Sequence, residues 1–148
     1  MKQMNDSVFL DTNILVYAHT DLDTSKQSVA QKLIADSYSF ISTQVLQESA
    51  NTLNRKFKQS WNDIADVLAD AAANNNLHVN TENTIRQACK IAAQYHFSFY
   101  DSMIISAALE SNCTILFSED LQDGQIIDGK LYFTPHKNVQ CFHQRIEI

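Results

Sequence analysis

The stretch Val8-Phe9-Leu10-Asp11-Thr12-Asn13-Ile14-Leu15-Val16-Tyr17 decides the fold. Its first apolar run is short and ends abruptly, which predicts a buried strand over about residues 7–10. Its second apolar run predicts a short helix to about His19, so Asp11 lies where a strand passes into a helix. In an open α/β sheet, ligand sites form just beyond the carboxyl ends of the strands. Asp11 is therefore a candidate site residue, although aspartate is also a common helix N-cap.

Apolar runs and helical patterns alternate along the rest of the chain. We predict strands near residues 38–42, 77–79, 114–118, 130–133 and 139–142, and helices near residues 24–35, 44–58, 60–71, 81–95 and 102–111. This alternation indicates an α/β protein with βαβ crossovers and a mainly parallel sheet. Since the chain has only 2 Gly and 1 Pro and no linker or repeat, we expect one helix-rich domain over residues 1–148.

The periodicity of apolar residues also predicts which helix faces are buried. The predicted buried residues are Leu46, Ala50, Leu53 and Phe57 in the helix capped by Thr43, and Ile85, Cys89 and Ala92 in the helix that begins at Thr81. By the same periodicity, Glu48 falls on the polar side of its helix. That position fits either a solvent-exposed helix face or the hydrated wall of a cleft.

Composition narrows the class of protein. The chain has 148 residues, of which 45% are hydrophobic and 19% charged, as in ordinary globular proteins. No apolar run approaches the ~18 residues of a membrane helix, and residues 1–6 lack a secretory pattern, so we expect a cytoplasmic protein without a membrane partner. The isolated cysteines 89, 113 and 141 argue against structural zinc or disulfides. A net charge of −6 argues against a broad basic surface for nucleic acid, but not against a small metal-dependent site.

Several other acids occupy informative positions. Asp101 shares a helix face with apolar residues, where a charge is unfavourable unless it is capped, paired or bound to metal. Asp120 follows a strongly apolar strand, as Asp11 does, and adjacent strands would bring these two acids together. Asp123 belongs to an Asp-Gly pair, which is also common in simple turns.

Carboxylates gathered in one place repel one another and raise one another's pKa, so such a cluster requires a cation. Oxygen ligands without soft donors select Mg²⁺ or Mn²⁺. Ions of this kind bind substrate phosphate and lower the pKa of a bound water. The acids therefore predict metal-dependent cleavage of phosphodiesters.

Four segments of the chain match one family in order and spacing. They are residues 9–15, 41–48, 99–109 and 115–121, and together they span residues 8–123, which is nearly the whole chain. In these segments the sequence resembles the PIN-domain ribonucleases, and within them the VapC-like toxins of bacterial toxin–antitoxin pairs. The resemblance implies a three-layer α/β/α sandwich around a parallel sheet. It also implies metal-dependent endonucleolytic cleavage of RNA that leaves a 5′-phosphate and a 3′-hydroxyl.

The resemblance assigns roles to residues of this chain. The implied catalytic acids are Asp11, Glu48, Asp101 and Asp120, and the implied ligands of Mg²⁺ or Mn²⁺ are Asp11, Asp101 and Asp120. Asn13 and Ser42 match polar positions that orient the first acid or a metal-bound water. Asp123 is a candidate to assist or replace Asp120.

The resemblance further implies an RNA substrate, a homodimer, and a cognate antitoxin whose tail enters the acidic cleft. Arg55, Lys56 and Lys58 follow Glu48 on one helix, and we expect them to flank the substrate path unless they form only a solvated surface.

Two alternative functions remain open at this point. The first is a non-catalytic PIN-like module that binds RNA or protein, which is disfavoured because all four acid positions hold carboxylates. The second is an aspartate-centred phosphatase or a phospho-acceptor receiver domain. Such a phosphatase has the motif Asp-x-Asp after its first strand, and a receiver domain has an acid pair before that strand and a lysine after a later one. This chain has Asp11-Thr12-Asn13 instead.

Overall fold

Strands and helices alternate along residues 7–135, the part of the chain that this computed structural model describes. The elements are β1 (Ser7–Leu10), α1 (Thr12–Ala18), α2 (Thr24–Asp36), β2 (Tyr38–Ser42), α3 (Thr43–Arg55), α4 (Trp61–Asn74), β3 (Asn76–His78), α5 (Glu82–Tyr95), α6 (Phe99–Glu110), β4 (Ile115–Phe117), β5 (Ile126–Ile127) and β6 (Leu131–Thr134). The strand predicted near residues 139–142 lies outside the described residues. The short strand β5 has no clear pattern in the sequence and was not predicted.

The six strands form one sheet in the order β3-β2-β1-β4-β6-β5. Every neighbouring pair is parallel except β5 and β6, which confirms the prediction of a mainly parallel sheet. β1 lies between β2 and β4, and all residues of β4 and the last three of β1 are buried. Continuous burial of this kind requires helices on both faces of the sheet, as in the predicted α/β/α sandwich.

Short polar side chains begin most of the helices. The N-caps are Asp11, Asp23, Ser42, Ser60, Thr81 and Ser98 for α1 to α6 in order. The helices predicted to begin near residue 60 and at Thr81 do begin there, with Ser60 and Thr81 as their caps. The predicted cap at Thr43 was wrong, because the side chain of Ser42 accepts the backbone N–H of Val45 and Thr43 is already helical.

Of the residues predicted to be buried in α3 and α5, Leu53 is buried, whereas Leu46, Ala50 and Ala92 are only half-buried. The buried residues are Gln44, Val45, Ser49 and Leu53 in α3, and Thr84, Ala88 and Ile91 in α5. Cys89 and Ile85 are exposed, because α5 turns its small side chains toward α6 and packs closely against it. In α3 the buried line turns Gln44 inward, whereas Glu48, one helical turn later, is exposed on the polar side that its periodicity predicted.

Helix α6 begins three residues earlier than predicted, and its residues from Ser102 to Ala108 are all buried. A helix that is buried on every side lies inside the protein rather than on its surface. The side chain of Ser98 caps α6 by accepting the backbone N–H of Asp101, at 3.2 Å. Asp101 is therefore in the first turn of the helix and is not its cap.

Candidate active site

Asp11 lies at the carboxyl end of β1 and is almost fully buried, with 7% of its surface exposed. Its backbone N–H donates to the carbonyl of Phe117 in β4, at 3.1 Å. Its Oδ1 accepts the N–H of Thr12 at 2.7 Å, and its Oδ2 accepts the hydroxyl of Ser118 at 2.8 Å. Asp11 is thus the N-cap of α1 and a constrained carboxylate at the edge of the sheet.

Burial raises the pKa of Asp11 from its ordinary value to about 6. The hydrogen bonds from Thr12 and Ser118 act in the opposite direction, and the negative charges of Glu48 and Asp120 raise the pKa further. The charge on Asp11 is therefore unfavourable in the protein by itself. A cation at this carboxylate would remove the penalty.

Asp120 follows β4 after two intervening residues and lies on an exposed loop. Its Oδ2 accepts the side-chain N–H of Asn13 at 3.4 Å, and its backbone N–H donates to Ser118 Oγ at 3.3 Å. Asn13 was expected to orient the first acid or a metal-bound water, and this role stays a prediction; in the structure its side chain contacts Asp120. Ser118 joins the two acids, since its hydroxyl donates to the side chain of Asp11 and accepts the backbone N–H of Asp120.

Glu48 and Asp101 come from two helices that meet across the same opening. Gln44 Nε2 donates to Glu48 Oε1 at 2.6 Å and to the backbone carbonyl of Tyr100 at 3.1 Å, so one side chain joins α3 to the start of α6. Desolvation raises the pKa of Glu48, the hydrogen bond from Gln44 lowers it, and the charges of Asp101 and Asp120 raise it again. These interactions place the four acids within one electrostatic environment.

A pocket of ≈ 130 Å³ at the carboxyl edge of the sheet brings these residues together. It is lined by Asp11, Thr12, Asn13, Gln44, Glu48, Thr52, Tyr100, Asp101, Ile104 and Asp120. All four predicted acids and Asn13 line it. Five other predicted site residues do not, namely Ser42, Asp123, Arg55, Lys56 and Lys58.

Those five residues have other surroundings. Ser42 is fully buried as the cap of α3, and the serine hydroxyl that donates to Asp11 is that of Ser118. Asp123 is exposed in the turn before Gly124, and the three basic residues are exposed at or just beyond the end of α3. Their roles remain predictions.

The pocket has the donor chemistry of a site for a hard cation. Thr12 Oγ1 and Gln44 Oε1 are buried at its wall without a hydrogen-bond partner, which is the situation of atoms that bind an ion or its water. Within residues 7–135, no three His, Cys, Asp or Glu side chains stand close enough to form a complete metal cage. Mg²⁺ does not require one, since it keeps several waters and binds through one or two carboxylates. The residues present therefore fit such an ion.

Sequence reasoning missed Gln44, Thr12 and Ser118. Gln44 carried a weak signal, because it lies one helical turn before Glu48. Ser118 had been assigned to the end of a strand, and its contact with Asp11 joins residues 107 positions apart. Such a contact appears only when β1 and β4 are placed side by side.

An acidic pocket beyond the carboxyl ends of parallel strands is the arrangement of PIN-like α/β proteins. The sequence profile of the PIN domain matches residues 8–122 of this chain, which therefore belongs to the PIN domain family. Nucleases of this family generally use divalent metal ions. The predicted family is thus confirmed.

Two solved structures have similar folds. One is the Mycobacterium tuberculosis toxin VapC20, which cleaves the sarcin–ricin loop; its TM-score is 0.61 at 20% identity, over 76% of this chain and 91% of that chain. The other is VapBC2 from Rickettsia felis bound to a fragment of its promoter DNA, with a TM-score of 0.61 at 17% identity, over 87% of this chain and 98% of that chain. A search of curated protein sequences found no match. At these identities the likeness concerns the fold.

Proposed function

We propose that this protein is an endoribonuclease that hydrolyses RNA phosphodiester bonds with Mg²⁺ or Mn²⁺. The observation that carries the proposal is the convergence of Asp11, Glu48, Asp101 and Asp120 on one pocket of a PIN-domain protein. A non-catalytic binding module would not need four carboxylates there, because their mutual repulsion disfavours the folded state. The alternative of a binding module is therefore less well supported.

The four acids have different proposed roles. Asp11, Asp101 and Asp120 would hold the ion, some of them through its bound waters, because no three of the described carboxylates lie close enough to contact one ion directly. The ion would supply positive charge to the phosphate and lower the pKa of water. Glu48 would take up the proton of the attacking water, and its raised pKa makes it a stronger base for this role than an ordinary glutamate. Gln44 would keep the Glu48 carboxylate oriented through their 2.6 Å hydrogen bond.

In the proposed reaction, the oxygen of a water molecule attacks phosphorus and the bond from phosphorus to O3′ breaks. The water proton passes to Glu48, and the leaving O3′ takes a proton from a second water molecule, whose hydroxide is later neutralised by the proton that Glu48 releases. The products therefore end in a 5′-phosphate and a 3′-hydroxyl. The RNA 2′-hydroxyl takes no part, so no cyclic phosphate forms.

An RNA-cleavage assay with Mg²⁺ or Mn²⁺ tests the proposal. We expect cleavage by the wild-type protein, its loss on adding chelator, and its loss in Asp11→Asn and Asp101→Asn, with both variants folded as judged by circular dichroism. Asp66→Asn is the matched control, because Asp66 is an exposed acid on α4 outside the pocket. Robust cleavage by both pocket variants, or in chelator, would refute the assignment.

The basic residues after Glu48 are proposed to guide RNA. Arg55, Lys56 and Lys58 are all exposed, as contacts to backbone phosphates require. Reversing the three charges should weaken RNA binding and flatten its dependence on salt, because fewer counterions would be released. Unchanged affinity in this variant would exclude them from the substrate path.

We also propose that the protein is the toxin of a toxin–antitoxin pair, and that it forms a homodimer and acts on RNA in the cytoplasm. The support is the likeness of its fold to VapC20 and to a chain of the VapBC2 structure. Among the described residues, no helix has the length and apolar character to cross a bilayer. Co-expression with the protein encoded beside it should relieve growth arrest if this partner is an antitoxin.

A further inference from the structure

Two aromatic side chains stand open to solvent beside the acidic pocket. Tyr100 is 68% exposed and Phe99 is 43% exposed, although both belong to the first turn of α6, whose later residues are buried. Tyr100 lines the pocket and directly precedes Asp101. Packing in the fold does not explain a large ring left in water at this position.

The backbone of Tyr100 is held firmly while its ring remains exposed. Its carbonyl accepts the side-chain N–H of Gln44 at 3.1 Å, and the same nitrogen donates to Glu48. The ring packs edge-on against Phe99, with centroids 5.4 Å apart and planes inclined at 71°. An edge-on neighbour limits rotation of the tyrosine and leaves a ring face available for stacking.

The charge of the protein favours an uncharged contact here. The chain carries a net charge of −6 and the pocket wall is itself acidic, so the wall repels RNA phosphate unless a cation is bound. Stacking of a base on an aromatic ring does not depend on charge and tolerates any base sequence. A ring beside the reacting phosphate would also restrict the position of the strand.

We propose that Tyr100, supported by Phe99, is a stacking platform for an unpaired base of the RNA, next to the phosphate that enters the acidic pocket. This inference rests on the proposed ribonuclease function and adds a specific subsite to it. It predicts that the enzyme prefers single-stranded RNA, because a base in a duplex is already stacked on its neighbours.

A binding cycle tests the platform directly. The probes are a fluorescein-labelled single-stranded oligoadenylate and an oligomer of the same length whose riboses carry no bases. Affinities are measured by fluorescence anisotropy with the full chain carrying Asp11→Asn, so that the probe is not cut. Tyr100→Leu keeps an apolar side chain without a ring, and Tyr100→Phe keeps the ring. Tyr38→Ala removes a tyrosine at the amino end of β2, whereas the pocket lies at the carboxyl ends of the strands.

We expect Tyr100→Leu to weaken binding of oligoadenylate by roughly 5- to 100-fold, the usual effect of losing one base–aromatic stack. Binding of the abasic oligomer should not change, and Tyr100→Phe and Tyr38→Ala should bind both probes as the parent does. The slope of affinity against salt should stay constant in Tyr100→Leu, since no phosphate contact is lost.

Three results would overturn the platform. An equal loss of affinity for both oligomers would make Tyr100 a backbone contact, and no loss for either would remove it from the RNA site. Retained RNA binding with weakened binding of a purified antitoxin would make the ring a protein contact. A wild-type protein that neither binds nor cuts any RNA would refute the ribonuclease function itself. If the wild-type protein cuts RNA and Tyr100→Leu binds both oligomers as tightly as the parent does, only the platform is refuted.

Discussion

β1 and β4 are neighbours in the sheet and each is followed by a candidate metal ligand, but the chain leaves the two strands differently. After β1 it enters α1 at once, so Asp11 is buried and accepts two hydrogen bonds. After β4 it enters an exposed loop, where Asp120 accepts one long hydrogen bond from Asn13. One acid is positioned by the core, and the other depends on the contacts of its loop.

This difference suggests a division of labour between the two acids. The rigid corner supplies a carboxylate whose place is set before any ligand arrives, at the cost of an unfavourable buried charge. The loop supplies a carboxylate that remains hydrated and adjusts its position when an ion or a phosphate is bound.

The strongest test compares Asp11→Asn with Asp120→Asn in RNA cleavage. Asp11→Asn should reduce kcat by more than the ~100-fold that marks the upper range for residues which only orient a ligand. Asp120→Asn should reduce it less, because water or a nearby loop oxygen replaces an exposed ligand more easily. Cleavage rates at saturating Mn²⁺ provide the measurement.

Asp123→Asn decides which acid of the loop takes part. Asp123 lies outside the pocket lining, so its variant should retain wild-type rates. A larger loss in Asp123→Asn than in Asp120→Asn would transfer the role to Asp123 and contradict the contrast as drawn here.

The second test concerns stability without metal. The raised pKa of Asp11, from 3.8 to about 6, means that the folded state holds the proton more tightly than the unfolded state does. The resulting penalty on folding is absent below about pH 4, grows as the pH rises to about 6, and reaches about 3 kcal/mol above it. Asp11→Asn should therefore increase the free energy of unfolding at neutral pH and leave it unchanged at pH 4.

The exposed acid provides the control in that experiment. Asp120→Asn should change the free energy of unfolding by less than about 0.5 kcal/mol, as surface substitutions usually do. Urea denaturation in chelator at neutral and acidic pH separates the two acids. Equal effects of both variants at neutral pH would show that Asp11 carries no special burial cost.

The contrast also explains how much the sequence could predict. Apolar runs revealed β1 and β4, and parallel topology then placed Asp11 and Asp120 at one edge of the sheet. The rotation of α3 was not predictable, because the buried line through Ser49 is less apolar than the half-buried line through Leu46. Periodicity counts apolar side chains, whereas close packing often buries small polar ones.

The same limit applies to the partners of the acids. Glu48 was assigned through the family pattern, since its own periodicity pointed to solvent. Ser118 and Gln44 were missed because their roles consist of contacts between distant segments. A sequence readily indicates which residues can react. It gives much less information about which residues hold them in place.

The third test removes the hydroxyl of Ser118, which contacts both Asp11 and the backbone of Asp120. Ser118→Ala deletes the 2.8 Å hydrogen bond that lowers the pKa of Asp11, so the carboxylate should become harder to ionise. Affinity for Mn²⁺ should fall by roughly 10- to 100-fold, the usual effect of removing a group that orients a ligand. Calorimetric titration of Mn²⁺ at neutral pH measures it.

A matched control distinguishes orientation from general destabilisation. Ser106 is also fully buried and donates a 2.8 Å hydrogen bond, in this case to the carbonyl of Thr84 between α6 and α5. Ser106→Ala should destabilise the fold to a similar degree without changing Mn²⁺ affinity. If both variants lose affinity equally, Ser118 acts through stability alone.

The smallest expected effect comes from the outer support of the loop. Tyr17 donates a 2.7 Å hydrogen bond to Glu119, beside Asp120, and accepts one from Lys26 at 3.2 Å. Tyr17→Phe removes both and should lower kcat by about 2- to 10-fold, in line with about 0.5–1.5 kcal/mol for one hydrogen bond. The control is Tyr95→Phe, which removes a similar bond to Asp128 outside the pocket. If Tyr17→Phe cleaves as fast as its control, Ser118 and Asn13 position the loop without help from Tyr17. Asp120 would then depend on fewer loop contacts than proposed and would differ less from Asp11.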